Sequence, residues 1–136
     1  MPTIRSAASS DIGAVLSLWR AADAEPSRTD DPESLAQLIE HDGASLVVAE
    51  SEGRLVGSVI AGWDGWRGSI YRLVVAPEVR RKGLGRLLVA EAEQRLARLG
   101  ARRLQAIVVA SDDRATGFWR GGDWDEQKAR LRFVKG

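Results

Sequence analysis

A short basic stretch in the second half of the chain has the composition of an anion-binding loop. It reads Arg-Arg-Lys-Gly-Leu-Gly and spans Arg80 to Gly85. An apolar run from Ile70 to Ala76 precedes it, and an amphipathic run from Leu84 to Leu99 follows it. Glycine lets a ligand approach the backbone because no Cβ intervenes, and a helix start presents N–H groups and the positive end of a dipole. This order of strand, basic glycine turn and helix predicts a phosphate or pyrophosphate site.

The glycine spacing distinguishes this loop from two common nucleotide-binding motifs. A dinucleotide-binding G-x-G-x-x-G motif needs a small residue three places after Gly85, where this chain has Leu88. A P-loop needs G-x-x-x-x-G-K-[ST], a string that the sequence does not contain. What remains is R-x-x-G-x-G after a strand. On this motif alone, a glycine turn that opens a helix and carries solvated arginines is an open alternative.

Length and composition limit the classes of protein that the chain can form. Its 136 residues suffice for one sizeable core, so we expect a single domain over residues 1–136. The net charge of +1 argues against a nucleic-acid partner, since proteins that bind nucleic acid are usually more basic. The chain has no cysteine, which excludes a cysteine acyl-enzyme. The single histidine and the carboxylates lack metal-ligand spacing, so no metal is expected.

The sequence carries no recognisable targeting signal. No apolar run is long enough to span a bilayer. Residues 1–10 lack the apolar core of a signal peptide. We therefore expect a cytoplasmic protein without a membrane partner.

Hydrophobic periodicity predicts an α/β fold with a central mixed sheet and helices on both faces. The expected order of elements is β-α-α-β-β-β-α-β-α-β. Early helices are predicted from Asp11 to about Ala24 and from Pro32, which follows Asp31 and suits the first helical position, to about His41. Late in the chain we expect a strand buried on both faces from Leu104 to Ala110 and a last strand from Gln127 to Val134.

The basic loop and its flanks resemble the GNAT superfamily of N-acetyltransferases. The segment IYRLVVAPEVRRKGLGRLL contains a match to motif A of that family, [QR]-x-x-G-x-[GA]. The segment ASDDRATGFWRGGDW resembles motif B, and GWDGWRGSIYRL resembles a subgroup of small bacterial members with D-G-x-R-G before the fourth strand. The order of elements also matches the GNAT fold, so the resemblance covers nearly the whole chain.

The resemblance implies that acetyl-coenzyme A (acetyl-CoA) is the co-substrate. The backbone of Leu73, Val74 and Val75 would bind pantetheine as an added strand does, and in this family a bulge in that strand directs an N–H at the thioester carbonyl. Pyrophosphate would be bound by the motif A loop, comprising Arg80, Arg81, Lys82, Gly83, Leu84, Gly85 and Arg86. In motif B, Asp112 and Trp119 would lie near the cofactor, although a helix N-cap is an equal alternative for Asp112.

The reaction implied by the resemblance is direct attack of a primary amine on acetyl-CoA. The leaving thiolate benefits from a proton, which the family often takes from a motif B tyrosine. This chain has Trp119 there, and an indole N–H has no useful acidity. Three explanations stay open: Tyr71, the only tyrosine, supplies the proton; water supplies it; or the protein binds acyl-CoA without turning it over.

Asp64 and Arg67 are the strongest candidates for the acceptor side. A carboxylate in the turn that they share could hold the amine or accept its proton, and a purely local role in the turn is an equal alternative. Arg28 lies in the loop between the first two helices, which GNAT proteins often use to choose the acceptor. A small-molecule amine and a protein amine both fit as partners. Strand edges after Gly122 would permit a homodimer.

Overall fold

The computed structural model describes residues 2–136. Within that range five strands and four α-helices follow one another in the order β1-α1-α2-β2-β3-β4-α3-β5-α4. The strands are β1 (Thr3–Ser6), β2 (Leu46–Ser51), β3 (Arg54–Trp63), β4 (Gly68–Val75) and β5 (Leu104–Ala106). The helices are α1 (Ile12–Ala21), α2 (Pro32–His41), α3 (Leu84–Leu99) and α4 (Asp113–Arg120).

The chain divides into two units. The larger one ends at Ala106 and contains the whole sheet with the first three helices. The smaller one runs from Ile107 to Gly136 and contains α4. A single domain over residues 1–136 stays a prediction.

The sheet is mixed, as the sequence predicts. Its strands lie side by side in chain order, with β1 to β4 antiparallel and β5 parallel to β4. A two-residue turn joins β2 to β3, and both of its residues, Glu52 and Gly53, have positive φ (50° and 78°). This is the turn geometry whose twist matches an antiparallel hairpin.

Helices α1 and α3 pack on opposite faces of β3. A Cβ added at Gly57 would lie 2.9 Å from Cδ1 of Leu88 in α3, so Gly57 faces α3. The next residue, Ser58, faces α1, because its hydroxyl accepts a hydrogen bond from Nε1 of Trp19 at 2.8 Å. Successive residues of a strand point to opposite faces, which confirms a sheet covered on both sides. The core residues with no measurable exposure include Val15, Leu46, Val48, Val59, Leu88 and Leu96.

Two helix boundaries of the larger unit lie where the sequence places helix signals. Helix α2 starts at Pro32, and the carboxylate of Asp31 caps it by accepting from the N–H of Ser34 at 2.7 Å. Helix α3 ends at Gly100, whose φ of 106° is a left-handed conformation that glycine adopts without strain. These two predicted boundaries are confirmed.

One predicted strand is shorter than expected, and another predicted strand is absent from the described residues. Strand β5 stops at Ala106 instead of Ala110, and its residues are at most half-buried. Ile107 and Val109 are 53 % and 41 % exposed. The segment from Gln127 to Val134 is irregular, with Phe133 89 % exposed. β-branched and alternating residues favour extended backbone, but a strand also needs a partner edge, and β4 pairs with β5 only as far as Ile70 and Ala106.

Close packing of α3 on the sheet depends on a glycine at the start of β4. A Cβ at Gly68 would lie 2.7 Å from Leu104 Cδ2 and 2.8 Å from Leu96 Cδ1. We expect Gly68→Ala to lower the free energy of unfolding by about 1–3 kcal/mol because it overpacks this contact. At the exposed helix position Gly13, a Cβ meets nothing within 4 Å, so Gly13→Ala should instead raise it by about 0.5–1 kcal/mol.

Urea unfolding of the two variants tests this contrast. The two substitutions are chemically identical, so only the surroundings distinguish them. Equal effects in the two variants would contradict the packing of α3 on β4.

Candidate active site

The last part of β4 has an edge that the rest of the sheet leaves open. Strand β5 pairs with β4 only from Gly68 to Ile70. From Tyr71 onward, β4 pairs with β3 alone among residues 2–136. The unpaired edge therefore presents main-chain N–H and C=O groups, which can bind an extended ligand as an added strand does.

A bulge interrupts β4 on this same stretch. Tyr71 pairs with Ile60 and Val74 pairs with Ser58, so two residues of β4, Arg72 and Leu73, stand opposite one residue of β3. Arg72 has a φ of 51°, a left-handed conformation in a residue that is not glycine. Such a conformation costs about 1–3 kcal/mol and persists only where surrounding contacts hold it.

Four contacts hold Arg72 in place. Its guanidinium forms a two-bond ion pair with the carboxylate of Asp30, and both side chains are only 18 % exposed. The same guanidinium lies over the ring of Trp19, with Cζ 5.1 Å from the ring centroid. Its carbonyl oxygen accepts from the hydroxyl of Ser58 at 2.9 Å. The bulge is thus fixed through the side chain and through the main chain.

The basic loop follows the end of β4 and contains two left-handed residues. Arg81 has a φ of 65° and Gly83 a φ of 83°. Turns of this kind bend the chain so that successive N–H groups line a concave surface that suits an anion. The side chains of Arg81 and Lys82 are exposed.

Arg80 reaches back from the loop and stabilises it. Its Nε donates to the carbonyl of Val75 at 3.2 Å, and its Nη2 donates to the carbonyl of Ala22 at 3.3 Å. The first contact joins the loop to the end of β4, and the second joins it to the end of α1. The geometry therefore gives Arg80 a role in shaping the loop.

Helix α3 begins at the end of this loop without a capping side chain. Its N-cap is Gly83, and the first buried residue of the helix is Leu84, at 4 % exposure. The N–H groups of the first helical turn have no acceptors inside a helix, and Gly83 has no side chain that could satisfy them. A Cβ at Gly83 would meet nothing within 4 Å, so the space beside this residue is open.

The turn of Asp64 and Arg67 lies at the opposite end of α3. It faces an open cavity of about 590 Å³ whose lining includes Trp66, Arg67, Leu99 and Gly100. Helix α3 has 16 residues, which separates its two ends by about 24 Å at 1.5 Å per residue. The structure therefore does not bring Asp64 and Arg67 together with the loop before Gly83.

Asp64 itself is engaged within its own turn. Its Oδ1 accepts from the N–H groups of Arg67 at 2.6 Å and of Trp66 at 2.8 Å. These two hydrogen bonds to the ionised form lower the pKa of the carboxyl below its ordinary value of 3.8. The guanidinium of Arg67 stacks on Trp66, with Cζ 4.1 Å from the ring centroid.

The other candidate residues have distinct positions. Tyr71 precedes the bulge and is 50 % exposed. Arg28 is exposed in the loop between α1 and α2. In the smaller unit, Asp112 caps α4 by accepting from the N–H of Ala115 at 3.0 Å, which is the helix-cap role considered above. Trp119 packs edge-to-face against Trp124, with ring centroids 4.9 Å apart.

A family comparison identifies this arrangement. Residues 13–122 match the model of the acetyltransferase (GNAT) family. The chain belongs to that family. The family match covers the bulged strand, the basic loop and α3, and it identifies this GNAT protein as an acetyltransferase.

A relative supports the family assignment, and solved structures support the fold. An acetyltransferase of Yersinia enterocolitica is 33 % identical over 124 residues, which are 91 % of this chain and 88 % of that protein. The PaiA N-acetyltransferase of Thermoplasma acidophilum, solved with coenzyme A, superposes with a TM-score of 0.76 at 16 % identity and covers 89 % and 87 % of the two chains. The ribosomal-protein-S18-alanine N-acetyltransferase of Escherichia coli gives 0.71 at 22 % identity, covering 89 % and 76 %. At these identities the structures confirm the fold alone.

Sequence reasoning missed the residues that hold the bulge in this GNAT protein. Trp19 reads as one of the apolar positions of a helix, and Ser58 as an ordinary strand residue. Asp30 and Arg72 are 42 positions apart, and nothing in their local spacing pairs them. The one signal in the sequence was Ser58 itself, a serine among apolar residues of a predicted strand. A buried hydroxyl needs hydrogen-bond partners, so its position indicated that such partners exist.

From residue 2 to the end, no helix of the protein combines the length and apolar character needed to cross a bilayer. Within the same range, no three histidine, aspartate or glutamate side chains are grouped so that they could hold a metal ion.

The lowered pKa of Asp64 predicts a pH-dependent contribution of its turn to stability. A carboxyl whose pKa is lower in the folded than in the unfolded protein stabilises the folded state at pH values above its unfolded pKa. This stabilisation is lost as the pH falls through the pKa of the folded state. We expect the wild type to be more stable than Asp64→Asn at pH 6, with the difference shrinking below about pH 3.8. Urea unfolding at pH 6 and pH 3 measures it, and a difference independent of pH would contradict the prediction.

Proposed function

We propose that this protein transfers the acetyl group of acetyl-CoA to a primary amine by direct attack. The observation that carries the proposal is the continuous path from the open, bulged edge of β4 through the left-handed loop to the uncapped start of α3. Each part of this path fits one part of acetyl-CoA, and the parts follow one another along the chain.

The loop and the helix start suit the pyrophosphate. The concave main chain around Arg81 and Gly83, together with the first turn of α3, supplies N–H groups and the positive end of the helix dipole. The exposed side chains of Arg81 and Lys82 add positive charge, and we assign Leu84, Gly85 and Arg86 to the same site through their backbone at the helix start. Arg80 takes part by holding the loop against Val75 and Ala22.

The open edge of β4 suits the pantetheine arm. Leu73, Val74 and Val75 lie beyond the last residues that pair with β5. An extended arm with amide groups can form main-chain hydrogen bonds along such an edge. An N–H at the bulge can then stabilise the negative charge that develops on the thioester oxygen, an effect that typically changes the rate of acyl transfer by about 10²–10³-fold.

The composition and the chemistry of the acceptor support direct attack. The sequence contains no cysteine, so no cysteine can carry the acetyl group between the two substrates. The attacking amine must be neutral. We propose that water protonates the leaving thiolate, and the half-exposed Tyr71 beside the bulge is the second candidate for that proton.

The acceptor side is proposed to lie at the loop between α1 and α2. Asp30 of this loop forms its ion pair with the bulge residue Arg72, so the loop lies next to the strand that would hold the thioester. Arg28 of the same loop is exposed and available to a substrate. We retain Asp64 and Arg67 as more distant candidates for a large acceptor, and Asp112 and Trp119 as candidates for cofactor contacts.

The charge at the helix start can be tested with two nearly isosteric variants. Aspartate and asparagine both tolerate a left-handed backbone, and a side chain at Gly83 has open space. We expect Gly83→Asp to weaken coenzyme A binding by about tenfold or more, because it places a carboxylate where the pyrophosphate binds. Gly83→Asn should weaken binding by less than about threefold, since it adds the same volume without charge. Titration calorimetry measures both, and equal affinities would contradict the site.

Transfer itself can be tested by thiol release from acetyl-CoA with a panel of primary amines. With a lysine-like amine, whose pKa is about 10.4, the rate at subsaturating amine should rise about tenfold per pH unit between pH 7 and pH 9. The rise reflects the growing fraction of neutral amine. Saturable acetyl-CoA binding without thiol release from any amine would instead support an acyl-CoA-binding module that does not catalyse transfer.

A further inference from the structure

A fully buried hydroxyl in β3 links helix α1 to the bulge. Ser58 has no measurable exposure, and Trp19 is 3 % exposed. Nε1 of Trp19 lies 2.8 Å from Oγ of Ser58, and Oγ lies 2.9 Å from the carbonyl oxygen of Arg72. An indole N–H can only donate, so the hydroxyl accepts from Trp19 and its single hydrogen goes to Arg72. The direction of both hydrogen bonds is fixed by the chemistry of the two side chains.

The bond to Arg72 also sets the direction of the next N–H. A trans peptide unit is planar, and its C=O and N–H point in opposite directions. The carbonyl of Arg72 points toward Ser58 in β3. The N–H of Leu73, in the same peptide unit, therefore points away from β3.

The ladder between β3 and β4 gives the same direction independently. The N–H of Ala76 donates to the carbonyl of Val56 at 2.8 Å, so Ala76 directs its main-chain groups toward β3. These directions alternate along a strand. By this alternation Val75 points away from β3 and Val74 points toward it. Leu73 then points to the edge that β5 leaves open.

We propose that Ser58, oriented by Trp19, is a positioning residue for acetyl transfer. Its hydroxyl holds the Arg72 carbonyl and thereby keeps the Leu73 N–H aimed at the open edge of β4, where it can donate to the thioester carbonyl. The inference rests on the proposed function and adds two residues that neither motif A nor motif B contains.

The strain at Arg72 explains why such a restraint is needed. A left-handed backbone in a residue other than glycine relaxes toward the extended region when the contacts that hold it are removed. Rotation of the peptide unit between Arg72 and Leu73 would turn the N–H of Leu73 away from the ligand. The ion pair to Asp30 holds the side chain of Arg72, and Ser58 holds the peptide unit itself.

Removal of the hydroxyl in Ser58→Ala tests the proposal. We expect kcat to fall about 10- to 100-fold, because a small displacement of a donor at the reacting centre has effects of that size. The affinity for coenzyme A should change less than about threefold, since the pyrophosphate loop is untouched. In the wild type, the amide resonance of Leu73 should differ between the coenzyme A and acetyl-CoA complexes, and in Ser58→Ala this difference should disappear.

A second buried serine provides the matched control. Ser45 is 1 % exposed, and its hydroxyl donates to the carbonyl of Asp42 at 2.8 Å. Ser45→Ala also removes a hydroxyl that donates to a main-chain carbonyl, so it should lower stability, by less than Ser58→Ala because one partner loses its hydrogen bond where Ser58→Ala deprives two. It should leave kcat unchanged. Ser58→Thr keeps the hydroxyl and should retain most of the activity.

The Trp19→Phe variant supplies an independent route if Ser58→Ala fails to fold. It keeps a ring under Arg72 but removes the N–H that orients Ser58, so kcat should fall several-fold with coenzyme A affinity retained. The inference would be overturned if Ser58→Ala kept the wild-type kcat and the wild-type response of the Leu73 amide resonance. If Ser58→Ala does not fold, the same result in Trp19→Phe would overturn it. Either result would leave the proposed function standing. Failure of the wild type to bind acetyl-CoA would overturn the proposed function, and this inference with it.

Discussion

One residue in a left-handed conformation determines the shape of the proposed site. Arg72 interrupts β4 with a φ of 51°, and the register of the strand changes there. In a regular ladder, the main-chain groups of successive residues point alternately toward the partner strand and away from it. The bulge at Arg72 inserts one extra residue into this pattern, beside the edge that β5 leaves open. The protein accepts about 1–3 kcal/mol of local strain at Arg72 and offsets it with an ion pair, a cation–π contact and a buried hydrogen bond.

The position of α3 is the second constraint, and two glycines set it. The helix lies so close to the sheet that side chains at Gly57 and Gly68 would collide with leucines of α3 and β5. This close packing fixes the helix near its start, through Leu84 and Leu88, and near its end, through Leu96. Only the eight residues 76–83, which include a short 3-10 turn (Pro77–Val79), separate the end of β4 from the start of α3. The helix start, proposed to bind the pyrophosphate, therefore lies at the same end of β4 as the open strand edge: a Cβ at Gly57 would approach both Leu84 and the carbonyl of Val74.

Much of this arrangement could be predicted from the sequence, because its signals are local. The strand, the glycine loop and the amphipathic helix occupy one segment, and proline with aspartate marks the start of α2. The bulge could not be predicted in that way: Arg72 reads as an ordinary strand residue, and its partners come from α1, β3 and a loop. The run from Leu104 to Ala110 and the tail from Gln127 were overpredicted for a related reason. Their residue types favour extended backbone, but pairing depends on a distant edge.

The basic residues show the same limit of local reasoning, and they also connect two sides of the proposed site. By count, the arginines of β4 and the basic loop suggest side chains that are available to a ligand. Arg80, however, donates to main-chain carbonyls, and Arg72 pairs with Asp30. That pair joins the loop between α1 and α2, proposed to contact the acceptor, to the strand proposed to hold the thioester. A substitution that removes Asp30 therefore alters the acceptor loop and also releases the side chain that helps to hold the bulge. If the proposed function holds, this one ion pair couples binding of the acceptor to stabilisation of the reacting carbonyl, and a change in the loop then also affects the chemical step.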